Sequence, residues 1–433
     1  MARKSSGYVC TNCGYISVSW MGRCPLCGKY DTFEEQSPDS DAPSSEIPSI
    51  EPVNLEEITD STKRFFCGIP EFDRVIGGGI APGQVILLGG EPGVGKSTLM
   101  LQLVAELGKK GVLTAYVSAE ESAAQLKVRA SRLKLNLSNC LVYSDNDLDA
   151  VLENLKDKKP TFAVFDSAQM LRSRAASDFS GSLAQVRLCT EKITDFSKQT
   201  GMAAIIIGHI TKGGVIAGPK IMEHIVDSVL YFENEKFAQY RIIRSIKNRF
   251  GAVNEIAVFD MTATGLKSAE DFSSYFVENI NTPGQALSCV MEGSRSILVE
   301  VQALLNSSLY SVAKRVVNGF DYNRAVLVLA ILEKYTKMSF ANYDIFINVV
   351  GGLKINDPGA DLALAAALIS IYLNKPLTNA VFWGELSLSG NIRDASASAS
   401  REKESKKRGI ENIVNPSNHV KNIADLWRVI EDL

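Results

Sequence analysis

The sequence predicts an α/β protein: a mostly parallel sheet covered by helices on both faces, preceded by a small cysteine-rich module and followed by an α+β domain. Three observations carry this. Unbroken, β-branched apolar runs recur tens of residues apart, as VILLG at 85–89, LTAYVS at 113–118, TFAVF at 161–165 and AAIII at 203–207, with amphipathic helical stretches between them. Cys10, Cys13, Cys24 and Cys27 form two Cys-x-x-Cys pairs near the start. From Ser273 onward the pattern changes to two strand-like stretches, 286–291 and 297–304, followed by helical patterns at 322–334 and 361–372.

A chain of 433 residues exceeds what one hydrophobic core organises, so several domains are expected. The longest apolar runs have strand length, which argues against a membrane span. The segment MARKSSGYVC has basic residues but no apolar stretch, so no secretory signal is expected and the location reads as cytoplasmic. A net charge of −3 gives no global attraction to nucleic acid, and any such binding must rest on local patches.

Residues 1–30 read as a four-cysteine zinc finger. Ten residues separate the two cysteine pairs, and four thiolates suit a tetrahedral structural Zn²⁺ with no open position for catalysis. Gly14 and Gly28 follow the pairs and allow tight knuckle turns. Such a finger serves DNA or partner contacts, or is purely structural. Cys67, Cys140, Cys189 and Cys289 stand singly and read as small buried hydrophobes. Residues 31–60 form a flexible linker, with QSPDSDAPSSEIPSIEP from Gln36 to Pro52 rich in Pro, Ser and acids.

Residues 61–272 hold the nucleotide chemistry. GEPGVGKST spans Gly90, Glu91, Pro92, Gly93, Val94, Gly95, Lys96, Ser97 and Thr98, and matches G-x-x-x-x-G-K-[ST] in full. Backbone N–H groups of such a loop curl around the phosphates of ATP, Lys96 neutralises them, and the Ser97 hydroxyl ligates Mg²⁺. A strand precedes the loop and a helix follows, so the phosphates are expected at a helix N-terminus. Asp166 ends the run FAVF and is the expected second anchor of the Mg²⁺ shell. Glu120 and Glu121 follow the strand LTAYVS; one of them is the expected base for the attacking water, and Glu120 is favoured. His209 ends a fourth strand, where it reads either as a γ-phosphate sensor or as a satisfied structural histidine. The glycine-rich KGGVIAGPK after it, with Lys212 and Lys220, suits a loop that responds to the nucleotide and touches a ligand.

Taken in order, the cysteine pairs, GIPEFDRVIGGGIAPGQVILLGGEPGVGKST, YVSAEES, FDSAQM, GHITKGGVIAGPK and KNRFG at 247–251 resemble the RadA (Sms) family of bacterial DNA-repair proteins. The resemblance runs from the cysteine cluster to the C-terminus. It implies a RecA-like core related to DnaB-type helicases, and a homo-hexameric ring with ATP bound between neighbours. It also implies translocation on single-stranded DNA, branch migration of branched intermediates, and partnership with the RecA recombinase. In such rings Lys247 and Arg249 are the candidates to reach a neighbour's γ-phosphate. From Tyr240 to Phe250 there are four basic residues and no acid, serving DNA phosphates or the neighbour's ATP. Lys212, Lys220, Arg244, Lys247 and Arg249 are the candidate DNA contacts. Two positions depart from the family's usual pattern: Glu91 stands where Asp is common, and Ala168 where Ile is common.

Residues 273–433 resemble the proteolytic domain of Lon through FINVVGGLKINDPGADLALAAALIS and GELSLSGNIRD. Lon uses a Ser–Lys dyad. Here the nucleophile region reads Asp357-Pro358-Gly359-Ala360-Asp361, and the lysine region reads ASASAS with Ala399 near the expected place. Without its nucleophile a dyad has no covalent chemistry to perform, so the domain is expected to be proteolytically inactive and reused for ring assembly. Lys314 and Arg315 offer a DNA contact or a solvated charged face. Two other functions compete with a DNA motor: an ATP-dependent protease, and a signalling ATPase of the KaiC kind, which lacks the zinc knuckle and Lon-like tail.

Overall fold

In the computed structural model, residues 7–11, 15–17, 19–25, 28–36, 63–176, 178–209, 218–233, 240–269, 271–277, 281–308, 313–418 and 420–433 are described. The chain divides into two units, Met1–Ser61 and Thr62–Leu433. In the first, β1 (Gly7–Cys10), β2 (Ile16–Ser17) and β3 (Phe33–Gln36) form an antiparallel sheet in the order β2-β1-β3. Its small core is Cys10, Cys24 and Phe33.

The second unit begins with α1 (Pro70–Val75), whose proline sits at the start, where its missing N–H costs nothing. There follow β4 (Val85–Gly90), α2 (Lys96–Lys109), β5 (Thr114–Ser118), α3 (Ala123–Arg132), β6 (Cys140–Tyr143), α4 (Leu148–Lys158) and β7 (Phe162–Asp166). Next come α5 (Leu183–Thr200), β8 (Ala203–His209), α6 (Gly218–Ile225), β9 (Ser228–Glu233), β10 (Tyr240–Asn248), β11 (Ile256–Thr262) and β12 (Gly265–Ser268). The strands make one nine-stranded sheet in the order β12-β11-β10-β9-β4-β8-β7-β5-β6. From β9 to β6 it is parallel; from β9 to β12 it is antiparallel.

The apolar runs are unbroken because successive side chains enter two different cores. Ile86, Leu88, Tyr116, Val164 and Ile205 face one core with α1 and α2; Val85, Leu87, Val117, Phe165 and Ile206 face the other with α4 and α5. The capping box Ser122–Gln125 starts α3, and Ser182 caps α5. Of the four single cysteines, Cys67, Cys189 and Cys289 are buried, whereas Cys140 is only half buried.

The remaining elements are β13 (Gln285–Glu292), β14 (Arg295–Ser307), β15 (Arg315–Asn318), α7 (Tyr322–Tyr335), β16 (Tyr343–Val349), α8 (Asp361–Leu373) and β17 (Ala380–Phe382). They close with β18 (Glu385–Leu386), β19 (Ile392–Arg393), α9 (Ser398–Lys407), β20 (Asn412–Val414) and α10 (Ile423–Asp432). A six-stranded sheet, β15-β16-β14-β13-β17-β20, carries α8 on one face. Residues 361–370 of α8 are all buried, which is why its sequence is apolar all round. The ASASAS stretch enters α9 at Ser398, with Ala397 left-handed at φ 57°. One core runs from Tyr240, Ile242 and Val258 of the large sheet through Phe272 and Phe276 into Val299, Leu332 and Leu364.

Candidate active site

Parallel strands end at a common edge, and here the register levels those ends: Gly90 pairs with His209, and Ser118 with Asp166. The loop after β4 depends on glycine at two places. A Cβ on Gly90 would lie 2.9 Å from the Phe232 Cβ, and Gly95 caps α2 at φ 114°. Lys96, 3% exposed, donates from Nζ to the carbonyls of Gly90 at 2.8 Å and Glu91 at 2.9 Å. Burial lowers its pKa to about 8, opposed by the Asp166 and Glu120 carboxylates. Gln102 of α2 brackets Leu266, accepting from its N–H and donating to its carbonyl, each at 2.9 Å, and so fixes the β11–β12 hairpin beside the loop.

Asp166 is 8% exposed and accepts a 2.7 Å hydrogen bond from the Tyr116 hydroxyl. Burial first, then the Asp166 charge, pushes the Tyr116 phenol well up, so it stays a donor. Tyr116 and Asp166 therefore form a buried polar pair across two neighbouring strands. Sequence reading missed Tyr116, because a tyrosine inside an apolar strand looks like core. The available signal was its place two residues before the strand end, beside the strand that delivers Asp166.

The two adjacent glutamates separate in space. Glu120 Oε1 accepts from Ser167 Oγ at 2.5 Å and lies 3.3 Å from His209 Nε2. Glu121 turns away to Arg129 of α3, its backbone N–H held by Ser118. Gln169 donates to the His209 carbonyl at 3.3 Å. Lys96, Asp166, Glu120 and His209 are thus brought together, with Ser167 as an unforeseen neighbour of Glu120. These groups can hold a polyphosphate, ligate a hard divalent cation through Ser97 and Asp166, and orient a water against it.

The basic segment lies elsewhere. Lys247 pairs in register with Val229, and Val229 with Leu87, so Lys247 is level with a residue three positions before Gly90. At about 3.3 Å per residue this is roughly 10 Å down the sheet from the loop. A β-bulge between Ser245 and Lys247 re-aims the lysine, whose Nζ donates at 2.7 Å to the carbonyls of Glu223 and Val226 at the end of α6. Burial and the nearby Arg249 charge lower its pKa. The Arg249 side chain is 57% exposed, 3.3 Å from Asp227.

Two expected cations are engaged within the fold. Arg244, read as a DNA contact, has a side chain only 13% exposed and lies between Glu233 at 2.5 Å and Glu292 at 2.6 Å. Its partners come from the neighbouring strand β9 and from β13, the latter 48 residues on in sequence. Arg315 donates to the carbonyls of Lys314, Tyr343 and Phe340, which makes it a staple between strands. Lys220 is exposed on α6, while Lys212 falls outside the described residues.

In the first unit Cys10 and Cys24 are each 1% exposed. Cys10 donates its N–H to the Tyr15 carbonyl and Cys24 to that of Lys29, both at 2.9 Å and each to a partner five positions on. This repeated hydrogen bond at two buried cysteines fits a four-thiolate Zn²⁺; Cys13 and Cys27 fall outside the described residues. In the C-terminal domain, the segment expected to carry a nucleophile is joined to the one expected to carry a lysine by a buried ion pair. Asp357 Oδ2 lies 2.7 Å from Arg401, whose side chain is fully buried. Asp361 is likewise held by Arg324 and the Leu386 N–H.

A phosphate loop followed by acids at neighbouring strand ends of a mostly parallel sheet defines a P-loop ATPase with a RecA-like core. Residues 66–143 match the KaiC ATPase family, residues 8–35 the rubredoxin metal binding domain, and residues 323–419 subunit ChlI of Mg-chelatase. DNA repair protein RadA of Aquifex aeolicus is 43% identical over 96% of this chain and 94% of its own. RadA of Campylobacter jejuni is 41% identical over 98% and 96%, and RadA of Listeria monocytogenes 39% identical over 100% and 95%. The chain belongs to the DNA repair protein RadA family. Among solved structures, a KaiC-like protein of Pyrococcus horikoshii aligns with 48% of this chain and 99% of its own at 21% identity and a TM-score of 0.40. Among the described residues no helix is long and apolar enough to cross a membrane.

Proposed function

We propose that this chain is a DNA-dependent ATPase of recombinational repair that works as a homo-hexameric ring, translocating on single-stranded DNA and promoting branch migration of recombination intermediates. The observation that carries the reading is the position of Lys247 and Arg249. They sit toward the opposite end of the sheet from their own Lys96, too far to serve it, while Arg249 is exposed. Supplied to a neighbour's ATP, these cations stabilise the charge of phosphoryl transfer and make turnover depend on assembly.

Within one site the contacts support a division of labour. Glu120 accepts the proton of the attacking water as oxygen bonds to the γ-phosphorus and the β–γ bridge breaks. His209, beside Glu120, senses the γ-phosphate. Lys96 holds the β- and γ-phosphates. Ser97 and Asp166 hold Mg²⁺, which supplies charge neutralisation when bound. Lys212, Lys220 and the basic segment are the remaining candidate DNA contacts, Arg244 excepted. The four-cysteine module binds Zn²⁺ and serves DNA or partner contacts, with the RecA recombinase the proposed partner and the cytoplasm the proposed location.

The test is ATP hydrolysis with and without single-stranded DNA. Stimulation by DNA, abolished in Lys96→Ala, is expected; hydrolysis indifferent to DNA overturns the reading. Zinc is checked by metal analysis of Cys10→Ser and Cys24→Ser, each expected to lose one equivalent. A protease reading is disfavoured by the Asp357–Arg401 pair, and casein cleavage would reinstate it.

A further inference from the structure

The hairpin turn at 292–295, between β13 and β14 of the C-terminal domain, is lodged against the root of the basic loop. Glu292, 4% exposed, pairs with Arg244 of β10 at 2.6 Å. Gly293 is left-handed at φ +62°, and a Cβ there would lie 2.8 Å from the Asn254 carbonyl and 2.9 Å from the Glu255 Cα. The Ser294 N–H donates to Glu255 Oε1 at 2.7 Å. Arg295 reaches Glu71 of α1 at 3.1 Å, and Arg74 ties Glu71 to Glu255, each at 3.0 Å.

Those partners frame the loop itself. The Ser245 backbone N–H donates to the Glu255 carbonyl at 2.9 Å and its carbonyl accepts from the Asn254 N–H at 2.8 Å, so the bulge, the end of β10 and the turn after it are bracketed between Ser245 and Asn254. On its other side Arg64 donates to the Phe250 carbonyl at 2.6 Å and to the Gly77 carbonyl. A Cβ on Gly251 would lie 2.6 Å from the Gly77 Cα, so the loop also packs backbone to backbone. Arg64 and Gly77 belong to the core ATPase fold; Glu292, Gly293 and Ser294 do not.

We propose that the 292–295 turn is a positioning element for phosphoryl transfer: through Arg244, Asn254 and Glu255 it sets where Lys247 and Arg249 stand, so the C-terminal domain of one subunit governs hydrolysis in the site those cations serve. The proposal rests on the reading that Lys247 and Arg249 act in trans. Glu292 and Ser294 touch no nucleotide; they act through the loop. The physical basis is that a finger worth several powers of ten in rate loses most of its effect when displaced by an ångström.

The experiment is a double-mutant cycle in the full-length protein, reading kcat and KM for ATP in the presence of single-stranded DNA, with assembly followed by light scattering. Glu292→Gln is expected to lower kcat about tenfold while leaving KM within about twofold, the signature of a lost transition-state contact. In a background lacking both cations, Lys247→Ala with Arg249→Ala, the same substitution is expected to add nothing, since the residues it positions are gone. Equal losses in both backgrounds, an unchanged kcat, or a loss explained by disassembly overturns the proposal. An Arg249→Ala variant with normal kcat instead overturns the trans reading beneath it. Should Glu292→Gln fail to fold, Arg244→Lys, which keeps the charge but not the forked geometry, runs the same cycle.

Discussion

The Tyr116 hydroxyl donates a 2.7 Å hydrogen bond to Oδ2 of Asp166 from the neighbouring strand. The register places Tyr116 opposite Val164, one same-face step short of Asp166, so the phenol leans along the strand to the carboxylate. Asp166 is thereby aimed before any cation arrives. Tyr116→Phe is expected to raise the Mg²⁺ concentration needed for half-maximal hydrolysis and to lower stability by about 1–3 kcal/mol, the cost of a buried acceptor losing its donor. Magnesium titrations of ATPase rate and urea melts check both.

Glu120 and Glu121 are adjacent in sequence and opposite in placement, one beside Ser167 and His209, the other on Arg129. Glu120→Gln is expected to lower kcat by about 10²- to 10⁴-fold, the usual weight of a general base. Glu121→Gln is expected to stay within about threefold, since a partly exposed ion pair contributes little. Steady-state kinetics of the two variants side by side decide the assignment.

Lys96 gives a pH dependence whose sign can be worked out. Its pKa in the folded chain is about 8, against an ordinary 10.5. Below pH 8 it is cationic folded and unfolded; between these values only the unfolded chain keeps the proton. Folding stability from this group therefore rises with pH across that window. Nucleotide affinity moves oppositely, because phosphates favour the cation and binding takes up a proton. ATP affinity is expected to weaken above about pH 8, by up to about tenfold per pH unit, and to stay flat in Lys96→Arg. Equilibrium binding of a fluorescent ATP analogue across pH measures it.

The Asp357–Arg401 pair joins the two segments in which the sequence was searched for a nucleophile and a lysine. Removing one partner leaves the other charge buried, so Arg401→Met is expected to cost about 3–5 kcal/mol, with Asp357→Asn in the same chain recovering part of it. Chemical denaturation of the single and double variants tests this. Peptidase activity is expected in none of them.

What was legible in the sequence was local. The phosphate loop, Asp166, the glutamate pair and His209 announce themselves within a few residues of a strand end, and the parallel sheet follows from apolar runs that serve two cores at once. What was not legible depends on partners far along the chain. Arg244 meets Glu292, and Arg315 meets the Tyr343 and Phe340 carbonyls, so both looked like surface cations until folding brought those groups to them. The displacement of Lys247 from its own loop comes from β10 reversing direction beside β9, and its aim from a bulge that no motif records. Tyr116 was hidden by its own apolar ring.

The core that joins Tyr240, Ile242 and Val258 to Val299 and Leu332 has a practical consequence. A cut after residue 272 is expected not to release a self-sufficient ATPase domain. It strips the cover from a sheet face built to be dry, leaves Arg244 and Glu255 without Glu292 and Ser294, and creates a sticky fragment. Loss of activity on such truncation would report the raw edge as much as any task of the missing part. Dissecting this protein calls for single side-chain replacements along the seam, where the two halves are in effect one piece of material.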